Sequence, residues 1–452
     1  MPRIRFPHPL TLMVGFIALA AALSWILPAG EFQRRDDPVT GRSVVVPGTF
    51  HRVEPAPVGP FEALVAIPKG MAEAAEVIFV VFLVGAAFTV LDRTGTLRRG
   101  TDRLVGRLEG RTLVVIPVVC VLAALGGVMI NMQEEFIALV PALLILTRRM
   151  GFDPLVGVSM TLGSAAVGSA FSPINPFQVG IAQKLAQLPL LSGAPFRVVF
   201  LVLALALWIA ATMRYAVRNR VEPEAAEAGA EPERAAEPRA GRDAAILLLV
   251  LATFAVYVYG ILRLEWAFNE MAGLFFAMGI VVGLLGGLRP GGTVDAYVEG
   301  FREMAFAGLL IGFARAIFVV LQEGRIVDTI VHGLVTPIQG LPLALSALGM
   351  MVVHALIHFP VPSVSGQAVL TMPVLVPASD LLGLSRQVTV LAYQYGAGLT
   401  ELIAPTNGAL MAILIAAGVR YERWLRFVLP LFAALFTLGA VAVMVGIATG
   451  LR

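Results

Sequence analysis

The sequence predicts an all-α polytopic membrane protein: about nine transmembrane helices plus two re-entrant hairpins in an inverted repeat, with two broken helices. Three observations predict it. The 452-residue chain is 58% apolar and 14% charged, whereas soluble domains carry about 25% charged residues. Its arginines gather in clusters between apolar runs. Residues 141–176 align without a gap on 373–408, so that Pro141 falls on Pro373, Gly151 on Gly383, Pro173 on Pro405 and Asn175 on Asn407.

Composition excludes several classes. One cysteine, Cys120, permits neither a disulfide framework nor a cysteine metal site. The net charge of +3 is carried by arginine and reads as a topology signal rather than as nucleic-acid affinity. The N-terminal run Leu10–Leu27 follows Arg3 and Arg5 like a signal peptide but lacks a small-residue cleavage site, so it reads as a retained first helix.

The elements follow in order. Residues 10–29 leave the cytoplasm and 75–92 return, ending at an arginine cluster from Arg93 to Arg111. The 30–70 loop carries mixed charges and is placed outside. Segment 112–149 begins and ends beside arginines, so it makes an even number of crossings. Its centre, Asn131 to Glu135, is too polar for lipid and reads as the tip of a hairpin. Residues 153–190 form a helix broken at Ser172–Pro176, and 195–215 return. These elements make the first half, 1–220. Residues 221–241, rich in Glu, Ala and Pro, have no apolar face and read as a disordered cytoplasmic linker. The second half, 242–452, has spans 244–262, 271–288 and 304–321. Hairpin 341–383 with its tip at Pro362–Gly366, a broken helix at 386–418 and a last span at 425–449 complete it. The extra span 244–262 makes the two hairpins enter from opposite faces. The N-terminus is expected to be cytoplasmic.

A helix broken within the membrane exposes amide groups at one half-helix and carbonyls at the other. The first can hold a carboxylate and the second a cation. Pro173 and Pro405 enforce the breaks, and Ser172, Asn175, Thr406 and Asn407 are the polar residues there. Sodium is a candidate near Asn175 and Asn407. The tip residues Asn131, Gln133, Glu134 and Glu135 include adjacent carboxylates, which suit a proton or a cationic group; the alternative is a solvated pentad. Glu401, one turn before the second break, is the best single candidate for an amine or coupling ion, against pairing with an arginine. Arg315 either clamps a substrate carboxylate or neutralises a glutamate. Ser363, Ser365 and Gly366 form a turn-rich tip able to contact substrate, or simply a cap. His354 and His358 lie one turn apart, but no third ligand accompanies them, so no metal site is expected.

At these residues the chain resembles a known family. The segments FSPINPFQVGIAQ (Phe171–Gln183), PSVSGQAVLTMPVLVP (Pro362–Pro377) and SRQVTVLAYQYGAGLTELIAPTNGALMA (Ser385–Ala412) are similar to the C4-dicarboxylate anaerobic carriers. So is ARAIFVVLQEGRIVDTI (Ala314–Ile330), and the likeness is strongest to the YfcC-type members, within the ion transporter superfamily. The resemblance implies a secondary carrier of the bacterial cytoplasmic (inner) membrane, with a scaffold part and a moving part. It implies that Asn131–Glu135, Ser172–Pro176, Ser363–Gly366 and Thr406–Asn407 line the site. Val364 stands where the family pattern implies glycine, and Glu401 where it implies Asp or Asn.

The reading is an ion-coupled secondary active transporter, driven by H+ or Na+, with no cofactor and no enzymatic activity. Its substrate is a small anion or zwitterion bearing a carboxylate. An amino acid fits best, a basic one by antiport included, because carboxylate receptors coexist with glutamates able to meet an amine. A C4-dicarboxylate or short-chain acid is the runner-up. A passive channel or an intramembrane enzyme fits less well, since no HExxH, Walker or GxSxG pattern occurs. Membrane lipid is the surrounding partner, nucleic acid is not a partner, and a homodimer is left open.

Overall fold

The computed structural model describes residues 8–38, 42–97, 99–100, 112–222, 240–264 and 266–451. Most of the expected linker and much of the Arg93–Arg111 cluster therefore lie outside the described residues. Helices dominate. They are α1 (Pro9–Ile26), α2 (Pro60–Glu73), α3 (Ala75–Arg93), α4 (Val115–Ile130), α5 (Glu135–Arg149) and α6 (Pro154–Ala170). A short α7 starts as a wide turn at Pro176–Gly180 and continues through Ile181–Leu185. Then come α8 (Ala194–Arg218), α9 (Ala240–Leu264), α10 (Phe268–Gly286), α11 (Arg289–Glu323) and α12 (Val327–Val335). The chain ends with α13 (Leu343–His358), α14 (Val364–Leu381), α15 (Arg386–Thr400), α16 (Gly408–Ala416) and α17 (Tyr421–Ala448). Among the described residues, 7 helices are long and apolar enough to cross a membrane.

Two features depart from the expectation. The 30–70 loop is not irregular. It holds four short strands, β1 (Gly30–Glu31), β2 (Arg34–Asp37), β3 (Arg42–Val45) and β4 (His51–Arg52), paired antiparallel as β1–β4 and β2–β3, and then α2. The pattern Arg34-Arg35-Asp36-Asp37 carries no apolar alternation, which is why no strand was legible there. The span 304–321 extends back to Arg289, because Gly291 and Gly292 do not interrupt the helix.

The matched residues of the two aligned stretches perform the same backbone tasks. Gly151 and Gly383 both take φ +70 and end the second arm of a hairpin. The next amides reach back identically: Phe152 N donates to Thr147 O (2.9 Å) and Leu384 N to Ser379 O (2.8 Å). That is the Schellman closure, in which a left-handed residue satisfies the last carbonyls of a helix. Asp153 and Ser385 then cap α6 and α15, accepting from Leu155 N and Gln387 N.

The helix pairs α4/α5 and α13/α14 start and finish at opposite ends of α8. Arg220, just past the end of α8, donates to Thr112 Oγ1 at 3.2 Å and lies 5.4 Å from the Phe152 ring, so both ends of the first pair meet there. At the start of α8, Ser192 bonds Gln387, and Arg386 donates to Ala186 O at 3.0 Å. Leu343, Asp380 and Gly383 line one recess there. A 25-residue helix separates these two ends by about 37 Å at 1.5 Å per residue.

Candidate functional site

The tips of the two helix pairs and the two helix breaks converge. Asn131 ends α4 in the left-handed conformation, φ 56, with its amide on Gly127 O. Its side chain accepts from Ser169. Glu134 and Glu135 open α5, where the helix N-terminus favours carboxylates. At the other tip the Ser363 hydroxyl accepts from Gly366 N at 3.2 Å and starts α14.

Each break is closed by an asparagine. Asn175 Oδ1 accepts from Phe177 N (2.9 Å) and Gln178 N (3.1 Å), while its Nδ2 donates to Gly127 O (2.8 Å) and Ser169 Oγ (3.3 Å). Asn407 Oδ1 accepts from Ala409 N (3.0 Å) and Leu410 N (3.2 Å) at the start of α16. Both acceptor oxygens are therefore committed to backbone amides, the N-cap arrangement. Ser172 is committed too. Its hydroxyl donates to Val128 O and accepts from Ile174 N and Asn175 N.

Two adjoining cavities lie where these elements meet. The first, about 400 Å³, is walled by Asn131, Glu134 and Glu135 of one tip, Ser363 and Ser365 of the other, and Glu401. Glu76, Tyr257 and Trp266 add to its polar and aromatic wall, and no lysine or arginine among the described residues lines it. The second, about 620 Å³, shares Glu134, Ser363 and Ser365 with the first. It adds Gly366, Thr406, Asn407 and Arg315, and toward the β-strands Arg34 and Glu73.

The charges in these walls are only partly compensated. Glu401 is 7% exposed and accepts from the Gln133 amide. Glu135 is 5% exposed, and its Oε2 has no hydrogen-bond partner. A buried carboxylate oxygen without a donor costs at least about 1–3 kcal/mol. Thr406 Oγ1 is likewise buried without a partner. Arg315 pairs with Glu73 at 2.8 Å, and its guanidinium lies 5.0 Å from the Phe318 ring. Arg34 is held by Asp328 at 2.8 Å.

Of the residues singled out in the sequence, Asn131, Glu134, Glu135, Ser363, Ser365, Gly366, Arg315, Glu401, Thr406 and Asn407 reach one or both cavities. Gln133 lines neither and acts on Glu401. Ser172 and Asn175 line neither cavity and are fully buried behind the first break. Glu401 bonds an amide where an arginine partner was the alternative expectation. His354 and His358 are buried on either side of Gln367, whose Nε2 lies 3.0 Å from His354 Nδ1 and whose Oε1 lies 3.2 Å from His358 Nδ1. No cluster able to hold a metal occurs among the described residues.

Sequence reasoning missed Tyr257, Glu76 and Glu73. Glu73 and Glu76 both stand just before the apolar run Val77–Leu91. Their spacing of three residues was the available signal. Tyr257 is one of three hydroxyl side chains within Ala240–Leu264, with Thr253 and Tyr259, and nothing local singles it out.

The chain is 32% identical to "Putative basic amino acid antiporter YfcC" of Escherichia coli K12, over 98% of this chain and 97% of that protein. It is 28% identical to an uncharacterized protein of Haemophilus influenzae, over 97% and 96%. Among solved structures it is similar to the YdaH transporter of Alcanivorax borkumensis (TM-score 0.45, 17% identity, 98% of this chain and 99% of that one). It is also similar to MtrF of Neisseria gonorrhoeae (TM-score 0.40, 18% identity, 97% and 95%). The profile of the C4-dicarboxylate anaerobic carriers matches residues 6–448. The chain is a multi-span membrane protein that belongs to the C4-dicarboxylate anaerobic carrier family, a family of transporters rather than enzymes.

Proposed function

We propose that this carrier moves a basic amino acid across the bacterial inner membrane by antiport, with α4/α5 and α13/α14 acting as re-entrant hairpins of an inverted repeat and the N-terminus in the cytoplasm. One observation carries the reading: Glu134, Ser363 and Ser365 join an acidic cavity to one that holds arginine. The substrate's cationic groups meet Glu134, Glu135 and Glu401. Its carboxylate lies toward Thr406, the amide end of α16 and Arg315. A cation among these glutamates offsets burial that they otherwise bear alone. The commitment of both asparagine oxygens to helix caps favours the glutamates over Asn175 and Asn407 as the place for a coupling ion. The name of the Escherichia coli relative accords with this substrate.

A second reading is a dicarboxylate carrier. Arg34 and Arg315 on one cavity support it, with protonated glutamates in the other. Proteoliposomes separate the two. Liposomes holding the full-length protein and loaded with unlabelled arginine should take up labelled arginine and ornithine by exchange. Exchange of succinate or fumarate without any amino acid exchange would reverse the assignment.

A further inference from the structure

The groove between α8 and α17, at the end of the molecule where α8 finishes, is lined by Arg214, Arg218, Arg423 and Arg426. Its volume is about 500 Å³. Arg423 is paired with Asp153 and bonded to the Tyr215 hydroxyl at 3.3 Å. Arg214, Arg218 and Arg426 have no carboxylate partner among the described residues, although all three line the same recess. At three other helix ends an arginine is matched: Arg93 with Glu299, Arg99 with Asp243, Arg386 with Asp380. Like charges gathered on facing helices repel, and their repulsion is strongest beside a low-dielectric lipid phase. Part of the wall is of a different kind. Ala211, Phe427, Pro430 and Leu431 are apolar and continue from the arginines along the two helices.

We propose that this groove is a binding site for one anionic phospholipid, independent of the transport pathway. Its phosphate lies among Arg214, Arg218 and Arg426, and an acyl chain runs along Phe427 and Leu431. Arginine clusters that only orient a span in the membrane need a charge bias and no pocket. Here the same charges wall a recess open to the lipid-facing flank of two helices, the form expected of a headgroup site between spans. The apolar floor selects a lipid over a free phosphate ion, which gains nothing from it.

The test uses delipidated full-length protein in detergent. Phosphatidylglycerol should raise Tm by at least about 3 °C over phosphatidylcholine of the same chains. Glycerol 3-phosphate should leave Tm unchanged. The triple variant R214Q/R218Q/R426Q should lose the difference between the two lipids. Leu431→Trp keeps every charge and fills the apolar floor, so it should lose the difference too, and it decides the matter if the triple variant does not fold. Equal shifts from both lipids, a shift from glycerol 3-phosphate, or an undiminished preference in Leu431→Trp would each overturn the proposal.

Discussion

The two helix breaks are built alike and spent differently. In each, an asparagine caps the half-helix that follows, with its oxygen on two successive amides. Around the first break everything polar is consumed by protein. Ser172 holds Val128 O, Asn175 holds Gly127 O, and Gln178 and Gln394 exchange bonds across to α15 and back to Ser172 O. Gly127 allows this approach, since a Cβ there would strike the Ala165 carbonyl. Around the second break, Thr406 keeps an unpartnered hydroxyl and Glu401 faces a cavity. A repeated sequence thus supplies a repeated scaffold, and the chemistry sits in the copy whose polar groups remain available. The repeat alone cannot tell which copy that is.

The sharpest way to break the comparison is Glu401→Gln. The introduced amide can still bond Gln133, so the fold should survive. The carboxylate it removes borders the cavity that both tips line. A buried charge–charge contact is worth about 3 kcal/mol or more, so exchange of a cationic substrate should fall at least about 100-fold. Proteoliposome exchange, beside a size-exclusion profile matching the parent, reads this directly. Exchange within a factor of about 3 of the parent would remove Glu401 from the site.

The asparagines should separate by the kind of damage they cause. Asn175→Ala deletes a cap worth about 1 kcal/mol and also leaves Gly127 O without its donor. The total should reach about 2–3 kcal/mol of stability, with KM near the parent value. Asn407→Ala should cost its cap, about 1 kcal/mol, plus only the long bond from its Nδ2 to Glu401 O at 3.4 Å, and should raise KM, because this amide end borders the second cavity. Thermal unfolding and initial exchange rates measured on both variants give the contrast. An equal loss of stability with equal KM would mean that both breaks are merely structural.

Much of this arrangement was legible in the sequence because its markers are backbone markers. Proline, glycine and asparagine constrain φ and hydrogen bonding wherever they stand, so Gly151 against Gly383 and Asn175 against Asn407 signalled the same geometry before any fold was known. The convergence of Glu134, Ser363 and Glu401 followed from placing the tips of opposed hairpins together. What was not legible depends on which way a side chain turns. Nothing local to Asn175 reveals that Gly127, 48 residues earlier in the chain, takes its amide. The strands of the 30–52 segment escaped because two short polar ribbons leave no periodic signal. Arg315 was balanced between two roles; it pairs with Glu73 and also lines a cavity.

Thr406 offers a test in which stability and function move in opposite directions. Thr406→Val removes a buried hydroxyl that bonds nothing in the protein, so stability should be unchanged or rise by up to about 1 kcal/mol. If that hydroxyl donates to the substrate carboxylate, KM should rise by about 10-fold for the same change. An unaltered KM would place the carboxylate elsewhere, with Arg315 the next residue to examine.

The smallest expected difference lies at the bases of the two hairpins, where each turn leads into a broken helix. Asp153 is 4% exposed; it caps α6 and accepts from Arg423 of α17. Asp380 pairs with Arg386 six residues away, and both side chains are about a third or more exposed, at 42% and 33%. Exposed pairs are worth a few tenths of a kcal/mol and weaken with salt, whereas a buried partner left alone costs more. Asp153→Asn should therefore lower stability by about 1–2 kcal/mol, and Asp380→Asn by less than about 0.5 kcal/mol. Raising the ionic strength from about 0.05 to about 0.5 M should erase the second effect and spare most of the first, because screening acts on charges that water reaches. Equal effects at both positions would mean that the Arg423 contact is as solvated as the Arg386 one, and that the base of the first hairpin is held by its turn and cap alone.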